Sequence, residues 1–428
     1  MNPTRRQLLL SSLFGTGLVG LRALATGLPV GLLLHPREAA ADDAKPACVK
    51  PQYTFLLTSG GGDPLNANVP GTYDDERVFH SSDPAMARTA MTVGGRSTAA
   101  AKPWAQLPPN VLARTCFFHH GTYTNGHGDH AKVNRLMGAV QRQEMLVSLF
   151  AKQLQPCLGS VQAGPVVLNN NLITYAGAVM PTLSPSSLSK VLLAPTGPLA
   201  NLQKLRDAQV DKMNALFKSQ GNTAQRKVLD RYALSQAEAR SLSQDLLADL
   251  GTITGGSRED QNTAAAVLFK MNVSPVVVGS YSFGGDNHFD EGLQSETNAH
   301  VASTAALADL FTKLAKYGLT DSVTIAIQNV FGRTLTHQQG GRNHNANHHC
   351  SVLIGAGFKS SVIGGLQRSG GDFRATGIDA ASGASGTEIP FEETLGAMGK
   401  TLARAVGVEA AVLEEQVTKG KIVTAALA

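Results

Sequence analysis

The sequence predicts an α/β fold. Three observations carry this. Short β-favouring runs alternate with helix-patterned segments, and glycine-rich polar clusters follow the ends of those runs. The balance of 43% hydrophobic but only 5% aromatic residues, with 44 glycines, suits a loop-rich α/β chain better than a helix bundle. In such folds functional sites gather at the carboxyl edge of the sheet.

The elements follow in order. Arg5 and Arg6 precede an apolar run from Leu8 to Leu34, broken by Arg22, and Ala39, Ala40 and Ala41 offer a small-residue cleavage pattern. Residues 1–41 therefore read as a twin-arginine export signal, the alternative being an uncleaved membrane anchor. This implies the translocation machinery as a partner during export and a periplasmic or secreted destination. The segment holds four arginines against Glu38, so a whole-chain charge of +5 leaves about +2 for residues 42–428. No basic tract with interleaved aromatics follows, which argues against nucleic-acid binding. Cys48, Cys116, Cys157 and Cys350 are dispersed. They suit disulfides in an oxidising compartment better than an iron–sulfur cluster.

Residues 42–428 read as one domain. Tyr53 to Leu57 is a strand that empties into Gly60-Gly61-Gly62-Asp63. Val111 to Phe118 is a second strand, ending in His119-His120-Gly121. His130 to Gln153 carries a helical apolar pattern. Pro181 to Pro198 reads as a linker. The charged, periodic stretches within 198–250 read as a helical insertion over the core. Ala264 to Met271 is ambiguous between helix and strand. Pro275 to Tyr281 and Val323 to Ile327 are strands, with a helix from Thr297 to Tyr317 stopped by Gly318. Ser351 to Ile354 is a further strand and Thr394 to Val406 a late helix.

The polar clusters carry the candidate chemistry. Asp63, in its glycine loop, is a metal ligand or a turn residue. His127 and His130 are three apart, which on a helix shares a face. Asp129 between them is a helix cap, a metal ligand or a catalytic group. Asp286 and His288 are two apart, so on extended backbone both point to one side, and carboxylate with neutral imidazole suits zinc or a similar divalent metal. Arg333, after a strand end and a glycine, either grips a phosphate or sulfate or closes a structural ion pair. His344 and His348 are four apart and would share a face on a helix.

These segments resemble, in order, the exported bacterial family known as domain of unknown function family 1501. Gly60-Gly61-Gly62-Asp63-Pro64-Leu65-Asn66 resembles its G-G-x-D-x-L-N, and Gly285-Asp286-Asn287-His288 its G-W-D-T-H. Phe331-Gly332-Arg333-Thr334 resembles E-F-G-R-T, Arg342-Asn343-His344-Asn345 sits at T-D-H-G, and Leu353-Ile354-Gly355 resembles L-I-G-G. The resemblance implies an alkaline-phosphatase-like three-layer α/β sandwich with a mostly parallel central sheet. It implies metal held by Asp63, Asp286, His288 and His344, with His348 a further candidate, and a small anionic ester as substrate. Arg333 would orient the anion. Three positions depart from the pattern. Asn343 replaces an aspartate, Val330 a glutamate, and Asp129-His130 stands where a Ser-His pair is usual, leaving Thr122 or Thr124 as the available hydroxyls and Asp129 as an unusual nucleophile or ligand. Two functions follow: a metal-dependent hydrolase of phosphate or sulfate esters, or a non-catalytic protein that binds metal or a cell-envelope component.

Overall fold

The computed structural model describes residues 52–169, 172–192, 198–223, 225–226, 229–230, 233, 244–336 and 340–428. The export signal lies outside them. The strands that matter here are β1 (Tyr53–Ser59), β2 (Thr115–His120), β3 (Val166–Val167), β4 (Val276–Gly279), β5 (Val323–Asn329), β6 (Gly332–Arg333), β7 (His344–Asn345), β8 (His349–Ile354) and β9 (Ser361–Ile363). The helices are α1 (Leu65–Asn68), α2 (His130–Asn134), α3 (Leu146–Leu158), α4 (Pro185–Leu192), α5 (Pro198–Gln220), α6 (Gln244–Thr252), α7 (Arg258–Lys270), α8 (Gln294–Lys316), α9 (Thr394–Ala405) and α10 (Ala410–Gln416).

Seven strands form one sheet in the order β9-β2-β8-β5-β1-β4-β3. Its pairs are parallel except those of β8, which runs antiparallel to both β2 and β5. The expectation of a mixed α/β fold around a mostly parallel sheet holds. The central strands are buried on both faces, as near-continuous apolar runs such as Val276–Val278 require. Alternate residues feed two separate cores. Phe55, Leu57, Val277, Ile325 and Ile327 pack with Ala264 and Leu268 of α7 and Leu307 and Leu310 of α8. Leu56, Val276, Val278 and Ala326 pack on the other side with Leu149 and Phe150 of α3 and Leu395 and Leu402 of α9. The sheet is thus the middle of three layers.

Local chemistry decided several boundaries. Residues 264–270 are helical, because Ser257 and Asp260 form a reciprocal capping box that starts α7 at Arg258. The single helix expected over 130–153 is interrupted: Leu136, Met137 and Arg142 adopt positive φ around Gly138, so α2 and α3 are separate. Pro109 at the start of a one-turn helix, Pro109–Leu112, delays the second strand to Thr115. The expected linker 181–198 contains α4, whose Leu188 is buried. Leu205 and Leu216 of α5 are exposed, in keeping with a surface helix. No described helix is long and apolar enough to cross a membrane.

Candidate metal centre

The loops that follow β1, β2, β4 and β5 converge beyond the sheet. Each brings one kind of group.

The first loop supplies a scaffold. Asp63 is fully buried, and its carboxylate accepts backbone N–H groups from Phe283 (3.0 Å) and Gly285 (2.7 Å). Burial pushes its pKa up to about 6 against the pull of those hydrogen bonds and of Arg333. Asp63 therefore ties the β1 loop to the β4 loop rather than offering free oxygens. Gly62, at φ +67°, must be glycine, because a Cβ there would lie 1.9 Å from the Phe331 ring.

The next two loops supply imidazoles and a carboxylate. His127 Nδ1 bonds the Gly60 carbonyl at 2.8 Å, and its Nε2 lies 3.5 Å from Asp286 Oδ2. His288 Nε2 lies 3.2 Å from Asp286 Oδ1. Asp286 and His288 do share a side, as their spacing implied. Burial alone would raise the Asp286 pKa, but Arg333, His288 and His127 together hold it below the usual carboxylate range.

The hairpin β6–β7 supplies the rest. Arg333 and His344 are register partners across it. His344 Nε2 stands 2.8 Å from His288 Nε2, while its Nδ1 bonds the Asn125 carbonyl at 2.7 Å. The Phe331 ring stacks on His344 with centroids 4.3 Å apart. Among the described residues one group of His, Asp, Glu and Cys has metal-holding geometry: atoms of His127, Asp286 and His344 lie within 4.8 Å of one another. His288 adjoins both Asp286 and His344.

The hydrogen bonds place a proton on Nδ1 of each ring. A carbonyl oxygen can only accept, so Nδ1 of His127 and of His344 carries the proton. His288 Nδ1 likewise faces Asn343 Oδ1 at 2.9 Å. His288 Nε2 then faces Asp286 at 3.2 Å and Arg333 Nη1 at 3.3 Å, His127 Nε2 lies nearest the other carboxylate oxygen, and the Nε2 atoms of His288 and His344 face each other. Two lone pairs 2.8 Å apart repel unless a proton or a cation lies between them. This is the arrangement by which outer hydrogen bonds orient metal-binding histidines.

The remaining candidates stand elsewhere. Arg333 has no exposed side-chain surface, and its guanidinium is spent on the carbonyls of Gly61, Gly62 and Arg342, on Asp286 and on His288. Burial lowers its pKa despite those partners. Asp129 occupies the N-cap position of α2 without capping it. Its oxygens take the Thr124 hydroxyl (2.6 Å) and Lys132 (2.7 Å) instead, and the Lys132 bond leads in lowering its pKa. His130 turns away from His127, inward to Thr58 at 2.7 Å. The residues 344–348 are not helical, so His344 and His348 share no helix face. His348 is buried, stacked on His119 and bonded to it (3.0 Å) and to Asn66 (3.1 Å), which places it in the interior rather than with His344. Val330, where the family pattern has glutamate, packs in the apolar core beside Phe331.

Sequence reasoning did not give His127 a ligand role, and it weighed Asn343 as a replaced aspartate without pairing it with His288. It also passed over the wholly buried pair of Glu296 and Arg342 (2.8 Å), which braces the β4 loop through Asn287 and the β1 loop through Asn68. The one available signal was His127-Gly128-Asp129-His130, where histidines three apart flank a helix start.

Comparison with known proteins agrees with the family resemblance. Residues 197–378 match the family model described as "Protein of unknown function (DUF1501)". No curated protein matches the chain. Among solved structures, that of the lipoteichoic acid synthase LtaP from Listeria monocytogenes is similar at 8% identity and a TM-score of 0.32, over 88% of this chain and 76% of that one. A likeness so distant carries no argument about this protein.

Proposed function

We propose that this chain is an exported protein that holds a divalent transition metal, zinc or a similar ion, and uses it to hydrolyse phosphate or sulfate esters. One observation carries the reading: His127, Asp286 and His344 offer ligand atoms within 4.8 Å of one another, and His288 Nε2 adjoins both Asp286 and His344. Imidazole nitrogens with one carboxylate make a donor set that suits zinc-type ions over magnesium or calcium. The site's place at the carboxyl ends of β1, β4 and β5 supports the alkaline-phosphatase-like reading of the fold, with residues 42–428 as one domain and a helical insertion over about 198–250. Cys157 is disulfide-bonded, which supports an oxidising destination.

A bound ion would supply Lewis acidity at an ester oxygen. The chain's own residues would do the rest. Arg333, anchored by carbonyls, keeps a positive charge beside Asp286 without itself gripping an anion. The hydroxyl that the 122–130 loop offers is that of Thr124, already donating to Asp129; that of Thr122 bonds the Ala346 carbonyl.

A second reading, of a non-catalytic protein that binds metal or a cell-envelope component, has its own observation. Every guanidinium donor of Arg333 is already taken by the protein. One experiment separates the cases. The purified chain is analysed for metal beside His344→Ala, then offered aryl phosphates and aryl sulfates. Stoichiometric metal lost in His344→Ala, with turnover, supports the hydrolase. Metal without turnover supports the second reading. A wild-type chain that takes up no zinc, cobalt or manganese sinks both metal readings.

A further inference from the structure

Asn343 stands where a carboxylate ligand is expected, yet the structure gives it different work. We infer that Asn343 is the positioning residue of the centre, and that the chain takes a single ion. The inference rests on the metal reading above.

Asn343 is itself held firmly. Its N–H donates to the Thr334 hydroxyl at 3.0 Å, and its carbonyl accepts from Thr334 N at 2.9 Å, so the β6–β7 hairpin fixes its backbone. From there its amide oxygen meets Nδ1 of His288. The other ring nitrogen of His288 faces Asp286, His344 and Arg333. The amide oxygen and the Asp286 carboxylate therefore lie on opposite edges of one imidazole. Asn343 cannot share an ion with His288 Nε2 in this geometry. It holds the ring's proton on the far side and aims the near nitrogen.

The charge inventory limits the number of ions. A second divalent ion needs further anionic donors close by. Among the described residues Asp286 is the one carboxylate in the group. Asp63 is occupied by the Phe283 and Gly285 N–H groups, and Asp129 by Thr124 and Lys132. Arg333 adds a fixed positive charge that already pairs with Asp286 at 3.0 Å. A neutral amide at position 343 keeps the orienting hydrogen bond without adding the charge that would draw in a second cation.

The test uses the full chain, stripped by chelator and titrated with zinc against a chromogenic chelator. Wild type, Asn343→Ala and Asn343→Asp are compared for affinity, stoichiometry and apo-protein melting temperature. Losing an outer-shell partner of a metal-binding histidine costs 10–100-fold in affinity as a rule of thumb, so Asn343→Ala is expected to bind zinc about 10–100-fold more weakly. Its apo melting temperature should stay near that of the wild type, and Asn343→Asp should restore the affinity at one ion per chain. Wild-type affinity in Asn343→Ala overturns the positioning role while leaving the metal reading standing. Two ions in wild type or in Asn343→Asp overturn the single-ion claim. A wild-type chain that binds no metal overturns both this inference and the reading beneath it. Should Asn343→Ala fold poorly, the stoichiometry of Asn343→Asp decides.

Discussion

Acid should unfold this protein early, because its interior is stocked with histidines that cannot be charged. Burial holds His119, His120, His130 and His300 at pKa values of about 4. An unfolded histidine titrates near 6.5. Between those values the unfolded chain binds protons that the native chain refuses, so stability is complete above about pH 6.5 and falls as pH drops toward 4. At pH 5 each such histidine removes about 2 kcal/mol, and the four together roughly 8 kcal/mol. Asp63 works in the opposite sense. Its folded value, about 6, lies above that of a free carboxylate, so acidification relieves its burial and returns about 1 kcal/mol by pH 5. The net loss is comparable to the whole stability of an ordinary domain. His348 and His349, also lowered by burial, add to it. The assay is a urea titration at pH 7.5, 6.5, 5.5 and 5.0 in the presence of chelator, so that metal release plays no part. The chain's single tryptophan, Trp104, is buried against Phe283 and reports unfolding by fluorescence. A stability that stays level from pH 7 to pH 5 would refute the claim that these imidazoles are sealed in neutral form.

Three further outcomes are expected. Glu296→Gln leaves Arg342 as an uncompensated buried charge and should cost about 3–5 kcal/mol in urea-derived stability, whereas an effect near zero would mean that water reaches the pair. Gly332→Ala puts a Cβ 2.0 Å from the His348 carbonyl and 2.9 Å from Asn66; it should destabilise by about 1–3 kcal/mol and, by shifting β6, weaken metal uptake in the same chelator titration. Thr124→Val should keep full metal content; if Thr124 supplies the reacting hydroxyl, turnover of an aryl ester disappears, and unchanged turnover would remove it from the chemistry.

Much of the frame was legible because hydrophobic periodicity is a local signal. The strands at Tyr53, Val276 and Val323 are buried and largely apolar, and Gly318, at φ +69°, terminates its helix as its position suggested. Asp286 and His288 meet because two-residue spacing is itself geometric. Other features depended on partners far away in the chain. Nothing local says that His348 turns inward to His119, 229 residues away, while His344 turns outward. Nothing local tells an asparagine that orients a histidine from one that has lost a ligand. His127 and His130 look like a helical pair until a 3-10 turn, His127–Asp129, rotates one to the centre and the other to Thr58. Likewise Arg333 reads equally well as an anion grip or a brace until its five donors are traced.

The centre is assembled from segments separated by long stretches of chain: His127 leans on Gly60, His344 on Asn125, and Arg333 on Gly61. Contacts 67, 219 and 272 residues apart must all close before His127, Asp286 and His344 meet. Such closures come late in folding, after the local helices and the first strand pairings. Any ion taken at this centre would thus be captured last, by a chain already folded. No excised fragment would carry the centre, and the compartment in which folding is completed would set which ions reach it.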